Sequence, residues 1–231
     1  MNKIIAMIPA RMGSKRIPKK NIRYMCGKPL INYPIDLCTN SGKFDSVWIN
    51  TESEWLGKYA ESQGISFHKR PPELANDTAT NRDFVYQFLK EHDCDYVIMV
   101  NPTSPLLRKD TLCGFIDFVN RHDYDTVLSI LSLKEETFFE GKPLNFSLSE
   151  KVNSQKLTPI ETIVWSLTAW KRSSFIKNQE NGFNPVFGGT IGKYVIPKDE
   201  SCDLDEEEDW RIAEGILLSR ESVTKKRYLD E

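Results

Sequence analysis

Basic side chains are concentrated near the N-terminus of the chain, directly after one apolar run. The first thirty residues contain eight Lys or Arg and no acidic residue, and most of the basic residues follow residues 4–10. This run is short, lacks helical spacing and is interrupted by Pro9, which predicts a buried strand of a parallel sheet. Open α/β folds bind ligands at the carboxyl ends of such strands. The basic residues are therefore expected at a ligand-binding edge.

The residues that follow this strand, here called the cationic turn (residues 11–21), suit a compact polyanion. Arg11 offers paired donors, Lys15 and Lys20 offer mobile point charges, and Gly13 permits close approach to the backbone. No Walker loop or Gly-x-Gly-x-x-Gly fingerprint is present, so the ATPase and dehydrogenase interpretations lose their main support. On charge alone, a solvated basic loop or a nucleic-acid patch stays open.

The composition of the whole chain argues against a nucleic-acid partner. The 231 residues include 31 Lys and Arg against 33 Asp and Glu, and the pI is near 6.0. A nucleoside triphosphate suits this balance better than a nucleic-acid backbone. No segment approaches the roughly 18 apolar residues that span a bilayer, and no signal peptide is recognisable. We expect no membrane partner and a cytoplasmic location.

A second charged region, here called the acidic segment (residues 199–209), contains eight acids in eleven residues. Asp203 and Asp205 alternate, so an extended backbone would point both carboxylates to one side, where they could hold Mg²⁺. Alternatively, residues 205–208 form the capping box of a following helix, with the other acids favouring its positive end. Both interpretations can hold together.

Two polar loops follow predicted strands. In the loop at residues 101–106, the short polar groups of Asn101, Thr103 and Ser104 could face a ligand, or the two prolines could simply make a rigid turn. In the segment at residues 69–81, Arg70 and several amides and hydroxyls could recognise a base or a ribose. The alternative there is an ordinary polar loop with a helix cap near Thr80.

Strand-like and helix-like patterns alternate along the chain, which predicts a doubly wound, mainly parallel sheet. Between residues 133 and 170 the alternation fails, which predicts an inserted subdomain or protruding hairpin of the kind that often carries a dimer contact. The predicted strands are residues 4–10, 46–50, 65–69, 96–101, 126–131 and 191–196. The predicted helices are residues 30–40, 54–62, 82–91, 111–121 and 206–218, and residues 224–227 are predicted to be a solvated end.

Taken together and in chain order, the cationic turn, the two polar loops and the acidic segment resemble the acylneuraminate cytidylyltransferase family. This family comprises the CMP-sialic acid synthetases and their relatives that act on other nonulosonic acids. The resemblance runs from residue 3 to about residue 217. The segments at residues 70–79 and 102–106 and the pair Asp203 and Asp205 support it. The specific signature is Ile8-Pro9-Ala10-Arg11-x-Gly13-Ser14-Lys15-Arg16-Ile17-Pro18-x-Lys20-Asn21.

The resemblance implies a homodimeric, Rossmann-like enzyme that transfers CMP from CTP to a 2-keto sugar acid, with Mg²⁺ held by Asp203 and Asp205. The implied catalytic residues are Arg11, Lys15, Asp203 and Asp205. The implied nucleotide-binding residues are Ala10, Arg11, Gly13, Ser14, Lys15, Lys20, Asn21, Arg70, Thr78, Ala79 and Asn81. The implied sugar-binding residues are Asn101, Thr103 and Ser104. Use of another nucleotide or sugar, and nucleotide binding without catalysis, are the alternatives.

Overall fold

Strands and helices alternate along the first half of the chain in the computed structural model, which describes residues 2–221. The predicted solvated end at residues 224–227 lies outside the described residues. The strands are β1 (Ile4–Pro9), β2 (Tyr24–Met25), β3 (Lys28–Pro29), β4 (Ser46–Thr51), β5 (Ser66–Lys69), β6 (Tyr96–Val100), β7 (Thr126–Leu133), β8 (Phe138–Phe139), β9 (Lys142–Pro143), β10 (Ile160–Lys171) and β11 (Ile191–Val195). The α-helices are α1 (Asn32–Ser41), α2 (Glu54–Ser62), α3 (Asn81–Glu91), α4 (Lys109–Arg121), α5 (Arg172–Glu180) and α6 (Glu207–Glu221).

Seven of these strands form a central sheet in the order β11-β7-β10-β6-β1-β4-β5. β1 pairs in parallel with β4 and β6, β4 pairs in parallel with β5, and β11 pairs in parallel with β7. β10 is antiparallel to both of its neighbours. The predicted mainly parallel sheet is confirmed, and the carboxyl ends of β1, β4, β5 and β6 lie side by side along one edge.

Successive residues of β1 enter two different cores, because side chains alternate between the faces of a strand. Ile4, Ala6 and Ile8 pack with apolar residues of α1, α2 and α4 on one face. Ile5 and Met7 pack with residues of α3 and α5 on the other face. Helices therefore cover both faces of the sheet, which confirms the doubly wound arrangement.

The segment at residues 133–170, predicted as an insertion, has two structurally different halves. Residues 134–159 are mostly irregular and include the short β8-β9 hairpin and a single 3-10 turn at Ser154–Lys156. From Ile160 onward the chain is a strand of the central sheet, with a register shift between Ile163 and Thr168. The first half of β10 is largely exposed and the second half is buried, so no single alternation marks it in the sequence. Trp170, at its end, is fully buried in the core.

A third apolar cluster joins the two ends of the described chain. Ile17, Met25 and Leu30 pack against Leu204, Trp210 and Ala213. This packing places the cationic turn beside the acidic segment. No helix within residues 2–221 is long and apolar enough to cross a membrane.

Candidate active site

A polar cleft lies at the carboxyl edge of the sheet, where four neighbouring strands end. Arg11 follows β1, Glu52 follows β4, Arg70 follows β5 and Asn101 follows β6. The cleft consists of two adjoining cavities that share Arg11, Lys20 and Asn21 as walls. Its other lining residues are Pro9, Ser14, Lys15, Arg16, Leu74, Asn76, Asp77, Ala79, Asn81, Phe84, Pro102, Thr103 and Asp205, together with Arg70 and Asn101.

The acidic segment reaches this cleft through direct contacts with the cationic turn. Arg16 Nη2 donates to Asp205 Oδ1 at 2.6 Å, and Lys20 Nζ donates to the carbonyl oxygen of Leu204. The backbone nitrogen of Leu204 donates in turn to the carbonyl oxygen of Thr103 at 3.0 Å. The cationic turn and the acidic segment therefore meet at this cleft.

Both alternating aspartates act electrostatically on Lys20, so both carboxylates lie close to the cationic turn. Although Asp203 keeps contact with solvent, nearby protein displaces water from its carboxylate. This desolvation raises the pKa of Asp203, the Thr103 hydroxyl opposes the rise, and the charge of Asp205 adds to it. A divalent cation would offset the electrostatic repulsion between these two carboxylates. A pair of carboxylates is also a donor set that suits Mg²⁺.

The N-terminus of α6 is capped by Asp209, which lies outside the capping box predicted at residues 205–208. Asp209 Oδ2 accepts from the backbone nitrogens of Asp205 and Glu206, at 2.9 and 2.8 Å. The box predicted at residues 205–208 is wrong in its position, because Asp205 uses its carboxylate to pair with Arg16. Capping thus leaves Asp203 and Asp205 available to the cleft.

Two of the predicted phosphate-binding side chains are held by one carboxylate. Asp77 accepts from Arg11 Nη1 at 2.9 Å and pairs with Lys15 Nζ at 2.5 Å. The hydrogen bonds from Lys15 and Arg11 lower the pKa of Asp77. Asp77 and Arg16 were not predicted as site residues, because nothing in their spacing indicates which opposite charge each one meets.

Arg70 forms a buried wall of the cleft. Its Nε donates to Asn50 Oδ1 at 2.7 Å, its Nη2 donates to the Asn50 carbonyl at 2.9 Å, and its guanidinium lies 4.3 Å from the Phe84 ring centroid. Burial lowers the pKa of Arg70 to about 10, so the side chain stays charged at neutral pH. Asn50 could have been found from the sequence, since it is a polar residue at the carboxyl end of a predicted strand.

A buried acceptor also lies at the junction of the two cavities. Asn21 Nδ2 donates to the Arg11 carbonyl at 2.9 Å, while Asn21 Oδ1 is buried and has no hydrogen-bond partner within the described part of the chain. Buried polar atoms are nearly always paired in native proteins. An unpaired acceptor at this position indicates a site where a ligand donor can bind.

The remaining predicted site residues differ in how they are placed. Ser14, Ala79, Asn81, Asn101 and Thr103 line the cleft. Gly13 is exposed, and a side-chain carbon there would meet no protein atom. Ala10 is fully buried and donates its backbone N–H to the Asn50 carbonyl.

The structure does not bring Ser104 or the Thr78 hydroxyl into the cleft. Thr78 is exposed, and its hydroxyl donates to Asn76 Oδ1 at 2.7 Å. Ser104 is buried and lines a separate cavity beside α1, because a turn closed by its N–H and the Asn101 carbonyl directs it away. Of the two adjacent hydroxyl residues, only Thr103 faces the cleft.

Several curated proteins are similar to this chain in sequence. N-acylneuraminate cytidylyltransferase A of Danio rerio is 30% identical over 218 residues, which cover 93% of this chain and 51% of that protein. N-acylneuraminate cytidylyltransferase of Streptococcus agalactiae serotype V is 29% identical over 234 residues, which cover 97% of this chain and 55% of that protein. The chain thus spans about half the length of these curated relatives.

A solved structure of CMP:2-keto-3-deoxy-manno-octonic acid synthetase complexed with CTP has the same fold, with a TM-score of 0.68 at 16% identity. The alignment covers 95% of this chain and 100% of that chain. The sequence model of the cytidylyltransferase family matches residues 5–181, which include the cationic turn and the edge residues that follow β4, β5 and β6. Because this match extends over most of the 231 residues, the chain belongs to the cytidylyltransferase family.

Proposed function

We propose that this protein transfers CMP from CTP to the anomeric hydroxyl of an acidic 2-keto sugar, a sialic acid or related nonulosonic acid, and releases pyrophosphate. One observation carries the proposal: the cationic turn lies beside the pair Asp203 and Asp205, since Arg16 pairs with Asp205 and both carboxylates act electrostatically on Lys20. The names of the relatives, which are N-acylneuraminate cytidylyltransferases, support the choice of substrates.

The cationic turn binds the triphosphate in this proposal. Arg11, Lys15 and Lys20 contact phosphate oxygens, and the backbone at Gly13 and Ser14 allows the chain to approach them closely. Arg11 and Lys15 must leave Asp77 to do so, and exposed ion pairs of this kind exchange at little energetic cost.

The nucleoside occupies the adjoining cavity, between Asn21 and Arg70. Asn21 Oδ1, the unpaired buried acceptor, receives a hydrogen bond from an amino or hydroxyl group of the nucleoside. Arg70, Ala79 and Asn81 complete this part of the wall.

Asp203 and Asp205 hold Mg²⁺, which when bound neutralises charge on the triphosphate and the leaving pyrophosphate. Asn101 and Thr103 position the sugar acid so that its anomeric oxygen attacks the α-phosphorus. Arg11 and Lys15 offset the negative charge that accumulates on the phosphate oxygens as the bond to the β-phosphate breaks. No protein nucleophile is needed.

Exposed apolar side chains in the segment at residues 133–170 support a homodimer. Phe138, Phe139, Leu144 and Leu148 are each more than half exposed, which is costly for a free surface. We infer that this segment contacts a second copy of the chain, as the resemblance implies. Cross-linking or light scattering of the purified protein would measure its mass in solution.

Release of pyrophosphate from CTP, measured with Mg²⁺ over a panel of 2-keto sugar acids, tests the proposed reaction. We expect release to depend on both CTP and a nonulosonic acid, and formation of the CMP-sugar confirms the direction of transfer. Parallel reactions with ATP, GTP and UTP measure the base preference. Binding of CTP without turnover on any sugar acid would contradict the proposal, as would faster turnover with another nucleotide.

A further inference from the structure

Two histidines and a glutamate come together on the α3 side of the sheet, outside the cleft residues. His68 lies on the edge strand β5, while Glu91 and His92 lie at the C-terminal end of α3. His68 Nδ1 is 2.9 Å from His92 Nε2 and 3.6 Å from Glu91 Oε2. Within residues 2–221 this is the one group of three His, Cys, Asp or Glu side chains whose possible ligand atoms all lie within 4.8 Å of one another.

Gln87 determines which nitrogen of His68 faces this group. Its Nε2 donates to Glu91 Oε1 at 2.6 Å, and a carboxylate can only accept, so its Oε1 faces His68. His68 Nε2 then carries the proton and donates to Gln87 Oε1 at 2.7 Å. His68 Nδ1 is left as the acceptor of a hydrogen bond from His92 Nε2. A metal ion would take the place of this proton once His92 carries its proton on Nδ1 instead. Metal-binding histidines are oriented in the same way, by a hydrogen bond from the opposite ring nitrogen.

The surroundings hold the histidine rings in place and leave one side accessible. The His92 ring lies 4.1 Å from Trp48 and 4.3 Å from Phe88, measured between ring centroids. The His68 side chain is 2% exposed, whereas that of Glu91 is 59% exposed. A small ion can therefore reach the group from solvent past Glu91.

We propose that His68, Glu91 and His92 bind one divalent transition-metal ion of the zinc type, with water completing its coordination. Two imidazoles and one carboxylate are the donor set of open zinc sites, whereas Mg²⁺ prefers oxygen ligands alone. Burial lowers the pKa of His68, and burial with the adjacent imidazole lowers that of His92 to about 4. Burial thus favours the neutral imidazole, which is the form that binds metal.

This ion has a structural role, because it ties the edge strand β5 to α3. Arg70 lies two residues after His68, and Phe84 of α3 packs against the Arg70 guanidinium. The ion would therefore stabilise the position of Arg70 in the wall of the cleft, without contacting the substrates. Loading with Zn²⁺ is expected to raise the thermal midpoint of the metal-free protein by several degrees at saturating metal.

Metal binding by the chelator-treated full chain tests the proposal, with Zn²⁺ and Co²⁺ as probes. Elemental analysis should show one equivalent of Zn²⁺, and Co²⁺ should give visible absorption without the near-ultraviolet band of thiolate ligands. His92→Gln and Glu91→Gln should each weaken binding at least about 10-fold. These variants change half-buried or exposed positions, so they avoid the fully buried His68.

His122→Gln is the matched control, because His122 is the third histidine of the chain and packs beside Phe118 and Tyr124, away from the group. It should bind metal and gain thermal stability as the unaltered protein does. Failure of the unaltered chain to bind an equivalent of metal, equal binding by His92→Gln, or a thiolate band would each overturn the site. These measurements involve no turnover, so their outcome is separate from that of the proposed reaction.

Discussion

The cationic turn and the buried wall of the cleft carry similar charges but hold them in opposite ways. The Lys15 side chain is 84% exposed and is paired with the carboxylate of Asp77, whereas Arg70 is 3% exposed and is bound by the neutral Asn50. Exposed ion pairs contribute little to stability and exchange readily. Buried hydrogen bonds to a charged group contribute more and cannot exchange with water. The exposed cations of the turn can therefore exchange Asp77 for another anion, whereas Arg70 keeps its hydrogen bonds to Asn50.

Separating metal binding from helix capping gives the largest expected effect. Asp203→Asn should lower kcat about 100-fold or more, because charge on the phosphates is no longer offset in the transition state. Asp209→Ala, the control in the same acidic segment, should keep near-normal turnover but lower the free energy of unfolding by about 1 kcal/mol through loss of the cap. Steady-state kinetics and urea unfolding distinguish the two, and near-normal kcat in Asp203→Asn would contradict its assigned role.

The buried wall can be tested through stability. Arg70→Lys keeps the charge but cannot reproduce the paired hydrogen bonds to Asn50, so it should lower the free energy of unfolding by about 2 kcal/mol. Arg11→Lys, in the exposed turn, should change that free energy by less than about 0.5 kcal/mol. Urea denaturation of both variants measures the contrast, and equal destabilisation would show that the two arginines have similar structural roles.

Removing a side chain from the turn should affect CTP binding and leave folding intact. Lys15→Ala should raise KM for CTP about 10-fold, the loss expected for one hydrogen bond to a charged group. Lys19→Gln is the control, because Lys19 belongs to the same turn but does not line the cleft. Initial rates over a CTP series give the comparison, and an equal rise in both variants would indicate a general charge effect.

The smallest expected effect is a change in CTP affinity on substitution of Asp77, the carboxylate that pairs with Arg11 and Lys15. Asp77→Asn frees Arg11 and Lys15 from exposed ion pairs that contribute little to stability, so CTP should bind no more than about 5-fold tighter. Calorimetric titration with CTP, without a sugar acceptor, measures it. Asp123→Asn, which removes the exposed partner of Lys171, is the control. Weaker binding by Asp77→Asn would show that Asp77 positions the cations instead of competing for them.

The sequence predicted those elements best whose side chains are buried uniformly. The strands β1 and β6 are apolar throughout because both of their faces are covered. The amphipathic helix α2, whose buried residues recur at helical spacing, was also predicted at Glu54–Ser62, as observed. β10 was not predicted as part of the sheet because half of it is exposed and half is buried. The cleft residues were predicted where they directly follow a strand, since the carboxyl ends of parallel strands share one edge.

By itself, the sequence determined the parallel sheet, the cationic turn at its ligand edge and the alternation of Asp203 and Asp205, because these depend on local periodicity and charge. Only the tertiary structure decided that Arg16 meets Asp205, that Asp77 holds Arg11 and Lys15, and that Ser104 turns away from the cleft. The physical reason is that such contacts join residues far apart in the chain. Their partners are chosen by the packing of Ile17, Leu204 and Trp210, and by the order of strands in the sheet.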